Sequence, residues 1–172
     1  MAINYLKIKG QFLQLGPVIL FYVIAITELS SNFENFYLNF FSFNLHMMII
    51  YFWIIKNSDV LGIGHIFFAG IINDVVISHP LGTSSLSYLV LALCATYIKN
   101  ATLRPRMVTD WFAFVPAILL SNSVFFIVTI KFSELSISYV ELIQNSFFTF
   151  LFFPIFYQFF IYYNKLIDNR DL

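Results

Sequence analysis

One stretch, Gly62 to Gly82, gathers most of the residue types that could do chemistry here. His65, Asn73, Asp74, Ser78 and His79 lie within an otherwise apolar run. The same stretch holds four of the six glycines and two of the three histidines. A carboxylate in so apolar a segment is costly, and inside membranes such a residue is by default a pointer to function. His65 and His79 are fourteen residues apart with no Cys or Glu nearby, which is no known metal-ligand spacing. Gly62-Ile63-Gly64-His65 lacks the aspartate of a GxGD intramembrane protease, and Asp110 is expected at the opposite membrane face from Asp74. Gly82-Thr83-Ser84-Ser85 resembles a serine-nucleophile turn, but no histidine follows position 79 to act as base. Neither a P-loop nor a phosphotransferase Asp cluster is present. The sequence therefore supports no catalysis, no metal and no cofactor. Two readings of Asp74 remain: a polar contact for a partner or ligand, or a helix-end carboxylate tying down the turn to Gly82.

These residues must be held by apolar helices. The chain has 172 residues, 60% of them hydrophobic and only 10% charged, with a net charge of +0. A soluble average is about 25% charged, so the composition is that of a polytopic membrane protein with one integral domain, residues 1–172. The neutral balance argues against an electrostatic polyanion binder. Cys94 stands alone, which excludes an internal disulfide or a thiolate-zinc site, and it reads as a packed helix residue.

The apolar runs predict six transmembrane helices at about 11–27, 36–55, 60–77, 84–98, 111–130 and 143–163. The first reads as an uncleaved span, because Pro17 sits in its core and the only cleavage-like site, Ala25-Ile26-Thr27, is poor. The third span is the opening stretch, and the others are expected to be placed around it. Pro80 and Gly82 end it in a turn, after which Thr83, Ser84 or Ser85 can cap the fourth. Pro116 and Pro154 are expected to kink spans five and six. The 23 phenylalanines read mostly as lipid-facing filler.

Small residues predict where helices meet. Gly62, Gly64, Ala69 and Gly70 would let another backbone approach span three, with Ser85, Ala92 and Ala95 or Thr96 on span four as the matching face. Asn44 and His46, Ser121-Asn122-Ser123, Gln144-Asn145-Ser146 and Gln158 are expected to hydrogen-bond between helices, a polar substrate cavity being the alternative. Basic residues set orientation: Lys7, Lys9, Lys56, Lys99, Arg104, Arg106, Lys165 and Arg170 fall on alternate segments, and only Lys131 on the others. That 8-to-1 bias places both termini in the cytoplasm. Trp53 and Trp111, beside Lys56 and Arg106, are expected as interfacial anchors. Arg104 and Arg106 serve this bias and are also candidates for docking a cytoplasmic partner.

Gly70-Ile71-Ile72-Asn73-Asp74 followed by Pro80-Leu81-Gly82 and a span from Leu86 resembles the MreD family of bacterial rod shape-determining membrane proteins. Asn44 with Tyr51 and Trp53 is similar to the F-x-P-N start and Y-W end of that family's second span, with Phe43 where the family has proline. The resemblance covers about 36–165. It implies a non-enzymatic inner-membrane component of the cell-elongation, peptidoglycan-synthesising machinery. Its partners would be the bitopic protein MreC, and through it MreB filaments, RodA and a class B penicillin-binding protein. The implied all-α fold is similar to the six-helix substrate-binding subunits of energy-coupling-factor vitamin transporters, and such a subunit is the alternative function. Candidates for helix packing or partner binding are Asn44, Gly70, Asp74, Pro80, Gly82, Arg104 and Arg106.

Overall fold

In the computed structural model, residues 2–27, 43–58, 60–102, 106–132 and 139–168 are described. Arg104 and the first residues of the expected second span, 36–42, lie outside them. The described residues form six helices and no strand: α1 (Ala2–Thr27), α2 (Leu45–Lys56), α3 (Ile63–Val76), α4 (Thr83–Ala101), α5 (Met107–Phe132) and α6 (Tyr139–Asp168). Short connections force successive helices to run back alongside one another. On α5 and α6, Asp110 meets Tyr157 and Asn122 meets Ser146, so the pair is antiparallel.

The helix at the centre is α2, not α3. Every residue from His46 to Ile55 is buried, so α2 has no outward face, and it packs against α1, α4 and α6. A helix that is apolar all round belongs in the interior. By contrast α3 exposes Ile63, Phe67, Phe68 and Val75 on one side and buries Ile66, Ala69, Gly70, Asn73 and Asp74 on the other. The expectation that the bundle is built around the opening stretch is thus corrected. In lipid, outward and inward faces are both apolar, so hydropathy does not separate a central helix from a peripheral one.

Among the described residues phenylalanine is not mainly outward filler either. Phe21, Phe52, Phe114, Phe153 and Phe160 are at most 3% exposed. Tyr51, Phe114 and Phe153 form a chain of closely packed rings with centroids 4.5 and 4.4 Å apart, at the short limit for aromatic pairs. Trp53, expected at an interface, is 1% exposed and packs edge-on against Phe52.

Helices α5 and α6 are long and apolar enough to cross a membrane. The 14 residues of α3 rise only about 21 Å, short of a ~30 Å hydrocarbon core. Both Pro116 and Pro154 lie inside unbroken helices. Pro154 has no N–H for the carbonyl of Phe150 four residues back, and the Trp111 indole N–H donates to that oxygen at 2.9 Å. Trp111 therefore satisfies the acceptor that proline orphans.

Candidate functional site

The α3–α4 corner is built from two helix ends that share one aspartate. Helix α3 stops in the hydrogen-bond pattern of a Schellman motif: the His79 N–H donates to the Asp74 carbonyl at 2.9 Å, with Ser78 left-handed at φ 55°. Glycine usually occupies that position, since a β-carbon there is strained. The chain turns through Pro80, whose carbonyl accepts from both the Thr83 N–H (3.1 Å) and the Thr83 hydroxyl (2.7 Å). Gly82, at φ 96°, then starts α4. This is a place where glycine is required by the backbone.

The Asp74 side chain reaches across the turn. Its Oδ2 accepts from the Gly82 N–H at 2.8 Å and its Oδ1 from the Ser84 N–H at 2.9 Å. The first N–H groups of a helix have no intrahelical acceptor, and a carboxylate there also meets the positive end of the helix dipole. Asp74, 0% exposed, thus has its charge met by the backbone of α4. The sequence anticipated a cap from Thr83, Ser84 or Ser85, but none of their hydroxyls caps α4. They are used elsewhere: Thr83 on Pro80, Ser84 accepting from the Asn73 amide at 3.1 Å, and Ser85 donating to the Phe67 carbonyl at 2.9 Å.

Gly70 makes the crossing possible. A β-carbon on it would meet Ser85 Cα at 2.5 Å and Ser85 N at 2.6 Å, so the two backbones touch. Ala69 of α3 and Ala92 and Ala95 of α4 are buried as well. Gly62 and Gly64, expected to share the role, do not: a β-carbon on Gly64 would meet nothing within 4 Å, and Gly64 is exposed. The next seam, α4 to α5, is clasped reciprocally: Ser87 Oγ donates to the Ser121 carbonyl (3.1 Å) and Ser121 Oγ to the Ser87 carbonyl (2.8 Å). Asn122 donates to Ser146 Oγ at 2.6 Å and ties α5 to α6.

The remaining candidates among the described residues are Asn44 and Arg106. The Asn44 side chain caps α2 by accepting from the Met47 N–H at 3.2 Å, and its own N–H donates to Thr149 Oγ1 at 2.8 Å. That cap starts the helix without the proline expected at position 43. Arg106 is exposed just before α5. Tyr88 of α4, itself buried, interacts with both the Asn44 side chain and the charge of Asp74, so Asn44 lies beside the Gly70–Gly82 corner, while Arg106 stands apart from it.

A second buried acid was missed. Asp110, in the first turn of α5, is 1% exposed and takes Lys56 Nζ at 2.9 Å and the Tyr157 hydroxyl at 3.0 Å, both on Oδ2. The Tyr51 hydroxyl donates to its carbonyl at 2.9 Å. Lys56 ends α2 and Asp110 begins α5, so each charge also suits its helix dipole. Burial alone would push the Lys56 ammonium down; hydrogen bonds with Tyr157 and Asp110, and the Asp110 charge, outweigh it and raise its pKa. The signal was available: the topology puts Lys56 and Asp110 at the same face, with opposite charge. Among the described residues no group of three His, Cys, Asp or Glu is arranged to hold a metal.

Fold and site together define a helical bundle that buries Asn73, Asp74, Ser84, Ser87, Asp110, Ser121 and Asn122 in its interior while leaving many leucines, isoleucines and phenylalanines exposed on its outside. The chain matches the family described as rod shape-determining protein MreD over residues 7–163, nearly its whole length, and it belongs to that family of membrane proteins. Membership implies a role in rod shape determination within a family of structural proteins. Comparison with curated proteins and with solved structures gives no match.

Proposed function

We propose that this chain is a non-enzymatic, multi-pass scaffold of the bacterial inner membrane, with six spans and both termini in the cytoplasm. It recruits an MreC-like bitopic protein, and through it couples MreB filaments to RodA and a class B penicillin-binding protein. The observation that carries the reading is the family match over residues 7–163. Two features support it. The acid most suggestive of chemistry, Asp74, spends both oxygens on backbone N–H groups of α4. Lys56, Lys99, Arg106 and Lys165 fall at one end of the bundle and Lys131 at the other, which favours the cytoplasmic assignment of the basic end.

Affinity purification in a mild detergent tests the reading. Recovery of the MreC-like protein with the chain is the expected result. Recovery of transporter ATPase subunits without it would instead support a vitamin-transporter substrate subunit, the related six-helix fold, and would sink the scaffold.

A further inference from the structure

Helices α3 and α5 both pack on α4, and between them lies an open cleft of about 540 Å³. Leu86 and Leu89 of α4, Phe67 of α3, Val128 of α5, and Pro80 and Leu81 of the turn line it. Its lining is apolar but for Ser85, whose hydroxyl is bonded to the Phe67 carbonyl. We infer that this cleft is a binding site for one acyl chain of a phospholipid, with the phosphate near Lys131.

Three observations select that occupant over a partner helix. First, size: along α4 the lining runs only from Ser85 to Leu89 and along α5 only from Val128 to Phe132, about 6 Å of helix rise each, against the ~30 Å of a membrane-crossing helix. So short a recess suits a thin hydrocarbon chain better than a helix. Second, continuity: the flanks beside the cleft carry exposed Phe68, Leu93, Ile127 and Ile130, so whatever solvates the bundle's apolar surface also reaches the cleft. Third, charge: Lys131 immediately precedes Phe132 of the lining, is exposed, and is the one Lys or Arg among the described residues at that end. A lysine at a helix end can extend to the head-group level and meet a phosphate. The inference rests on the bilayer setting proposed above, and not on any partner.

Native mass spectrometry of the chain purified in mild detergent tests it. One phospholipid per chain should survive delipidation. Val128→Trp or Leu89→Phe, which fill the cleft, should lower the lipid-bound fraction at least fivefold, while Leu93→Trp on the open flank should leave it unchanged. Lys131→Glu should lower it too. The two filling variants guard against one failing to fold, since each is judged only if it elutes as wild type. Equal retention by a folded filling variant and Leu93→Trp, or no lipid bound to wild type, would overturn the site. Either result leaves the scaffold reading intact, because that reading is decided by co-purification of the MreC-like protein.

Discussion

Replacing Asp74 decides whether the α3–α4 corner is architecture or a contact surface. Its carboxylate accepts two backbone hydrogen bonds, at 2.8 and 2.9 Å, from the first turn of α4. Hydrogen bonds to a charged group contribute about 1.5–3 kcal/mol each, so Asp74→Ala removes roughly 3–6 kcal/mol of interaction. Part is returned, because the buried charge and its desolvation go as well, which leaves a net loss of about 2–4 kcal/mol. Asp74→Asn keeps one acceptor and turns an amide donor toward the other N–H, for a loss of about 1.5–3 kcal/mol. The order should be wild type, Asn, then Ala. Unfolding in mixed dodecyl maltoside and dodecyl sulfate micelles, followed by the fluorescence of Trp53 and Trp111, measures these differences. Partner recovery should fall in step with stability. If Asp74→Asn unfolds within 0.5 kcal/mol of wild type, the capping argument fails. If it also loses its partner, Asp74 is a contact residue instead.

Further predictions address the other features. Ser78→Gly should stabilise the chain by roughly 0.5–1 kcal/mol in the same unfolding assay, because φ 55° is strained for serine. Gly70→Ala should cost about 1–3 kcal/mol through the forced separation of α3 and α4, whereas Gly64→Ala, with open space around it, should be neutral or stabilising. Lys56→Ala should destabilise by about 3–5 kcal/mol by leaving the Asp110 carboxylate buried without its cation, and Lys56→Met with Asp110→Leu should recover most of that loss. The Lys56 pKa is raised on folding, so its contribution is complete below its ordinary value of 10.5 and is lost as pH rises through the folded value; unfolding titrations from pH 9 to 12 follow it. Trp111→Phe should cost about 1–3 kcal/mol in the wild type and much less on a Pro154→Ala background, where the Phe150 carbonyl regains its own helical donor; a double-mutant cycle reads the coupling.

How much of this was legible in the sequence differs by residue. The turn at Pro80–Gly82 follows from local backbone chemistry, which sequence carries directly: Pro80 and Gly82 cannot continue a helix. The pairing of Gly70 with Ser85 follows from small residues on consecutive spans. The Asp74 cap was only half visible. The carboxylate stood out, but whether it met a backbone or a partner depends on three-dimensional placement across the six-residue turn from Ile77 to Gly82. The burial of α2 was invisible, because Ile49, Ile50 and Ile54 in its core are the same residue type as Ile19 and Ile26 on the surface of α1. The Trp53 error has the same origin: a tryptophan near a lysine suits an interface, and a buried ring against Phe52 leaves no different trace. Lys56 and Asp110 were separately visible as charges at span ends, and only combining topology with sign would have paired them.

The burial pattern also limits how the candidate residues could meet a partner. Gly70 and Asp74 are buried and Asn44 is engaged at both its side chain and its N–H. Substitutions at these three can reach a partner only by moving α2, α3 or α4. Arg106, by contrast, is exposed, and the exposed stripe of α6 at Ile143, Phe147, Leu151, Ile155 and Phe159 recurs every four residues along one face. Effects on partner recovery should therefore divide. Gly70→Ala and Asp74→Ala should lose partner and stability together, and both losses should be partly restored by a stabilising Ser78→Gly. Leu151→Trp on the α6 face should leave stability within about 0.5 kcal/mol of wild type, as surface substitutions do, so any loss of partner it causes is loss of contact. Rescue of Leu151→Trp by Ser78→Gly would refute this division, since a change that only strengthens the α3–α4 corner cannot restore a contact on α6.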